Sequence, residues 1–268
     1  MALKPVLEFE NFEYFYNLTS KKVAFITMDV DWASDEVLHW TYDWFFRNEI
    51  PITAFATHPS SILTKYSGNS LAEVAIHPNF SNSLEPDYKI KELVNYYPQS
   101  IGSRSHRNII GRNFTDALHK FNLKYDSSKL LWRARNLEVY PLYNGMIDIP
   151  YIWEDGVHLE LNESSTVDAT VFNHQGLKIL NIHPVLFFLN HRSYTQLKSF
   201  TSKYSDLTQV PFSSFVKAKY EGEGIGTFSQ QLFLALKNEG YNFHLLRDIA
   251  LEASAYLNSR NNSNTFRD

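Results

Sequence analysis

The sequence predicts an α/β fold built around parallel strands, and three observations point to it. Short runs rich in β-branched and aromatic residues alternate with longer amphipathic runs along most of the chain. Three of the short runs close on a His-Pro pair, at His58-Pro59, His77-Pro78 and His183-Pro184. No internal repeat or low-complexity linker divides the 268 residues. A single domain is therefore expected over residues 1–259, followed by a polar, disordered tail over 260–268.

The elements follow in order. KVAFITMDVD reads as the first strand, and SDEVLHWTYDWFFRNE as a helix opened by a cap at Ser34 or Asp35. PITAFATH is β-branched and aromatic, hence a second strand, with a short helix around SSILTKY after it. LAEVAIH is a third strand, PDYKIKELVNYY a helix, SIGSRSH a short strand and FTDALHKF a helix. The middle of the chain (LKYDSS, GMIDIPYIW, VHLEL) reads as strands, and LKILNIHP as a strong late one. SYTQLKSFTSKY, FSQQLFLALKNEG and RDIALEASAYLNS read as closing helices. GEGIG lacks the lysine and preceding strand of a phosphate loop and is read as a turn into the helix near Thr227. Such alternation argues for a parallel sheet, closed or open, and the length suits a single barrel.

Composition narrows the function classes. A net charge of −4 offers no basic stripe, so nucleic acid is not expected as a partner. No apolar run reaches membrane-spanning length. The opening MALKPVLEFENFEYFY does not read as a signal peptide, so a cytoplasmic location is expected, and triplets such as Asn17-Leu-Thr are read as chance. With no cysteine, any metal must be held by His, Asp or Glu.

Proline lacks a ladder donor and holds its predecessor extended, so each His-Pro pair marks the end of a strand. Asp31 and His106 sit where other strand-like segments run out. In a parallel α/β fold these ends share one rim, where barrel active sites are built. A lone strand-end histidine is commonly a hydrogen-bonded structural residue; several beside an acid pair are a different matter. Asp29 and Asp31, two apart on a strand, would face the same way, and two buried carboxylates repel unless a cation or proton intervenes. The plainer reading makes the pair a cap for the helix at Asp35. A bound cation accounts for the acids and the histidines together, with two His and one Asp as ligands and the second carboxylate placed to take a proton from a bound water.

Thr27-Met28-Asp29-Val30-Asp31, the Glu73-Val-Ala-Ile-His77 strand, a further histidine downstream and the late strand ending at His183 resemble the NodB-type polysaccharide deacetylases of carbohydrate esterase family 4. The likeness spans roughly residues 22–190. It implies a distorted (β/α) barrel that uses a divalent metal, usually zinc, to remove acyl groups from sugars. By position it implies Asp29 as catalytic base, Asp31 and His77 as metal ligands, and His183 as the acid that protonates the leaving amine.

Two departures qualify the likeness. The family's second motif is H-[ST]-x-x-H, but His77 is followed by PNFS. His106 is taken as the other ligand, with the intervening helix as an insertion and His58 as its competitor. The family's R-x-P-Y motif survives only as Pro150-Tyr151, and Arg104 could supply the guanidinium against Asp29 unless it is a surface residue. Trp153, Tyr151 and Asp155 complete the candidate set on the substrate side, with Asp155 also placed to orient His183; Trp32 and Trp153 could stack on a sugar or pack in the core. The leading expectation is a metal-dependent deacylase acting on the N-acetyl or N-formyl group of a sugar. The alternatives are a small-molecule amidohydrolase and a non-catalytic carbohydrate-binding protein.

Overall fold

The computed structural model describes residues 22–81, 85–163 and 165–264. The opening stretch with Asn17 and the last four residues of the expected tail lie outside these. The chain runs β1 (Val23–Asp29), α1 (Asp35–Arg47), β2 (Ile52–Ala56), α2 (Ser61–Tyr66), β3 (Ala72–Ile76), α3 (Pro86–Tyr96) and β4 (Gly102–Ser103). Then come α4 (Arg112–Lys120), β5 (Tyr125–Asp126), β6 (Tyr140–Pro141), β7 (Ile147–Asp148), β8 (Trp153–Glu154) and α5 (Asp155–Glu160). It closes with β9 (Ile179–Ile182), α6 (Pro184–Leu189), α7 (Tyr194–Thr201), α8 (Phe212–Ala218), α9 (Ile225–Asn238), β10 (Asn242–His244) and α10 (Leu246–Asn264).

The strands form one curled sheet in the order β6-β7-β5-β4-β3-β2-β1-β9-β8, with β10 beside the first half of β1. Every pairing is parallel except β6 with β7. All residues of β1, β2 and β3 are buried, the pattern of a parallel sheet covered on both faces. A lone parallel bridge from Leu130 to Tyr151 brings the chain after β5 against the chain before β8, so the sheet curls round into a distorted barrel. Tyr125, wholly buried, leans across β4, where a Cβ on Gly102 would meet its ring 1.9 Å away. Gly102→Ala is therefore expected to cost about 1–3 kcal/mol by overpacking, read as a lower denaturant midpoint.

Two local readings are corrected. VHLEL is helical: its alternation at 157, 159 and 161 imitates a strand, but the buried residues Asp155, His158 and Leu159 follow the i, i+3, i+4 spacing of α5. SIGSRSH keeps only two strand residues, and His106 opens a single 3-10 turn, His106–Asn108. PVLFFL, buried at every position, forms α6 directly behind His183, and its lack of an exposed face hid its periodicity.

Candidate active site

β3, β1 and β9, with β2 between the first two, end on one rim, and their chemistry follows from where each strand stops. Asp29 is the last residue of β1 and shares the inward face with Thr27. Asp31 is not on the strand. It and Trp32 take left-handed backbone angles, φ 43° and 58°, in a tight turn. The expectation that both acids line one strand face is thus corrected; the turn, not the pleat, brings the second carboxylate back over the first.

His77, next after β3, is buried, and its Nδ1 lies 2.7 Å from the Arg104 carbonyl. A carbonyl can only accept, so Nδ1 carries the proton and Nε2 is presented to the acids. That Nε2 lies 3.3 Å from Asp31 Oδ1 and 3.9 Å from Asp29 Oδ2. His106 reaches the same Asp31 oxygen from the other side, Nδ1 at 3.1 Å. One ligand atom each from Asp31, His77 and His106 lies within 4.8 Å of the other two, and these three form the one such group found among the described residues. Ligands about 2.0–2.1 Å from a tetrahedral zinc stand about 3.3 Å apart, so the donor set fits a divalent cation in both atom type and spacing. His58 is not part of it; its Nδ1 pairs with Thr57 Oγ1 at 2.9 Å.

Burial alone would push the Asp31 carboxyl up, but the adjoining His106, His77 and His183 rings hold it well below the usual carboxylate range. Burial likewise pushes His77 down, and the adjoining Asp29 and Asp31 charges more than reverse this. An acid and imidazole so arranged stabilise positive charge between them.

Arg104 is fully buried beneath the site. Its Nη1 donates to Asp29 Oδ1 at 2.8 Å, Thr27 Oγ1 at 2.9 Å and Asn181 Oδ1 at 2.6 Å. Nε and Nη2 donate to the Ser127 carbonyl and hydroxyl at 2.9 and 3.0 Å. The guanidinium is sandwiched between the Phe55 and Tyr151 rings, 4.3 and 4.1 Å from their centroids. Arg104 is therefore no surface residue, nor does it share a strand face with His106, which leaves on the turn. His183 follows β9, the strand beside β1, and its Nδ1 lies 2.7 Å from Asp155 Oδ1. Asp155 Oδ2 accepts the His183 backbone N–H at 2.8 Å, which locks the ring with Nε2 facing Asp31 Oδ2 at 3.6 Å. Burial opposes protonation of His183, but Asp155 and then Asp31 raise it well above the ordinary imidazole range.

The three residues expected to meet substrate are placed elsewhere. Tyr151 is fully buried, its ring under Arg104 and its hydroxyl 2.8 Å from Glu154 Oε2. Asp155, also fully buried, spends its oxygens on His183 and Gly156. Trp153 packs on Phe228 and His158 and lines a separate cavity with Phe172 and Leu232. None offers a ring face or free oxygen on the rim. Conversely, Glu154 and Asn181 were missed. Glu154 is held up in pKa by burial and stands close enough to His183 and Asp29 to feel both charges. Alternation along β8 and β9 was the available signal, since Glu154 and Asn181 are register partners.

A second acid pair lies behind the rim. Asp126 and Asp148 are register partners on β5 and β7; Lys129 pairs with Asp148, and Ser128 donates to Asp126 at 2.7 Å. Burial, and with it the Asp148 charge, pushes Asp126 up to about 6. The folded chain then holds this proton more tightly than the unfolded one, so stability is greatest below the unfolded value near 3.9 and falls as pH rises towards 6. Asp126→Asn should remove that loss: its urea midpoint is expected to exceed wild type at pH 8, with the gap closing by pH 4.

Residues 26–201 match the family described as WbmS-like polysaccharide deacetylase. Among solved structures, one from Bordetella bronchiseptica, described as a polysaccharide deacetylase involved in O-antigen biosynthesis, aligns with a TM-score of 0.72 and 24% identity over 80% of this chain and 91% of that one. A peptidoglycan N-acetylglucosamine deacetylase aligns with a TM-score of 0.47 and 11% identity over 86% of this chain and 89% of that one. A CE4 family pseudoenzyme from Bacillus anthracis aligns with a TM-score of 0.45 and 11% identity over 87% of this chain and 66% of that one. A comparison with curated proteins returned no match. No helix among the described residues is long and apolar enough to cross a membrane. With a family match over residues 26–201 of 268, and the distorted barrel borne out, the chain belongs to the WbmS-like polysaccharide deacetylases.

Proposed function

We propose that the protein is a metal-dependent hydrolase that removes an N-acyl group, acetyl or formyl, from a sugar in a polysaccharide or glycan precursor. The observation that carries this reading is the convergence of Asp31, His77 and His106, with Asp29 3.9 Å from His77 and His183 3.6 Å from Asp31. Zinc or another divalent ion held by those three residues would supply a water of lowered pKa and polarise the acyl carbonyl.

The rest is the work of the chain. Asp29, held in place by the bond it accepts from Arg104, accepts the proton of the attacking water. His183, protonated and steered by Asp155, delivers a proton from Nε2 to the departing sugar nitrogen. The C–N bond breaks as the carbonyl carbon gains an oxygen, leaving a free carboxylic acid and an amine. Arg104, Tyr151 and Asn181 make no contact with substrate in this scheme; they hold Asp29 in place.

The test is a product assay on N-acylated glycans that scores both the released acid and the new amine. Equal amounts of the two are expected. Release of acid from small non-sugar amides alone would shift the assignment to a small-molecule amidohydrolase, and no release from any acylated glycan would reject the reading.

A further inference from the structure

A cleft of about 460 Å³ opens beside the metal-ligand group, lined by Trp32, Thr57, His58, Asn79, Lys89 and Glu92. This is within the usual range for a small-ligand site. Trp32 directly follows Asp31, and Asn79 is two residues from His77, so the cleft borders the rim. Its far wall is α3, the helix that stands between the two histidines of the ligand group.

Trp32 is the unexplained residue there. Its left-handed φ of 58° costs about 1–3 kcal/mol for a bulky side chain, and the geometry persists because its N–H bonds to Thr57 Oγ1 at 3.0 Å. The strain at Asp31 brings a carboxylate to the cation; that at Trp32 serves nothing in the chemistry above. Its ring meets His106 edge-on at 5.0 Å and stays partly exposed at the cleft.

The opposite wall carries Leu93 and a balanced ion pair. Lys89 and Glu92 pair at 3.5 Å, each nearly half exposed, and Asn79 adds an amide. Burial holds His58 below its ordinary pKa, which favours the neutral ring. One cation matched by one anion suits the hydroxyls of a neutral ring and offers little to a phosphate or carboxylate.

Resting on the deacetylase reading, we propose that this cleft binds a neutral pyranose ring of the glycan, with Trp32 as its stacking platform and α3 as the wall that selects it. The test compares capture of the zinc-loaded protein on immobilised glycans, neutral N-acylated and anionic, for wild type, Trp32→Gly and Lys89→Ala. Wild type should capture neutral glycans. Trp32→Gly should bind about tenfold more weakly, the equivalent of about 1.4 kcal/mol of stacking, and Lys89→Ala more weakly than wild type. Glycine adopts the left-handed turn without strain, which offsets much of the packing on His106 that is lost, so Trp32→Gly should melt within a few degrees of wild type. Unchanged capture by both variants, preference for anionic glycans, or a melting point several degrees lower in Trp32→Gly would overturn the proposal. Zinc-dependent hydrolysis of 4-nitrophenyl acetate by the wild type checks the chemistry separately: its absence counts against the deacetylase reading, whereas its presence without glycan capture counts against the subsite alone.

Discussion

Asp29→Asn is expected to lower acyl release by about 10²- to 10⁴-fold, the range for losing a positioned general base, while zinc stays bound. The substitution keeps the shape of the side chain and its capacity to accept from Arg104 Nη1, now at 2.8 Å, but removes the basic lone pair that takes the proton. Asp31, His77 and His106 retain their places, since Asp29 stands 3.9 Å from His77 Nε2 and outside the ligand group. The paired measurement is turnover on one acylated glycan and zinc per chain by elemental analysis. Near-wild-type turnover would place the base elsewhere. Loss of zinc together with activity would make Asp29 a ligand.

Arg104→Met should be the most destabilising single change at the site, by about 3–5 kcal/mol, because it strands the Asp29 charge in a buried position. Five donated hydrogen bonds go with it, to Thr27, Asp29, Asn181 and Ser127. Urea midpoints read the loss. Combining it with Asp29→Leu should restore part of the stability, since the pair is then replaced by apolar groups rather than broken. A change below about 1 kcal/mol for Arg104→Met would mean that the site relaxes and hydrates, contrary to a dry barrel interior.

Much of the site was legible because strand ends leave marks in sequence. Val23–Asp29 and Ala72–Ile76 are buried throughout and read as mainly apolar runs, and the proline after His77 or His183 marks where β3 or β9 stops. The Asp31–His77–His106 group was legible only by crossing a helix that the family's spacing does not contain, and because His58 also ends a strand, only the tertiary arrangement separates it from His106. What sequence hid was tertiary. Nothing local says that β1 stops at Asp29 and that a left-handed turn carries Asp31 back. The polar layer of Thr27, Asn181, Ser127 and Glu154 draws residues from four separate segments, each unremarkable alone. Trp153 looked like a sugar platform and Tyr151 like a substrate contact because aromatic identity is visible in sequence and burial is not.

Stripping the protein with a chelator and titrating zinc back, with bound zinc and acyl release followed together, tests the shared cation site most directly. One zinc per chain is predicted, with activity rising in proportion to occupancy, and no such binding in Asp31→Ala or His77→Ala. Full activity in the stripped protein, or stoichiometric zinc binding undiminished in those variants, would contradict it.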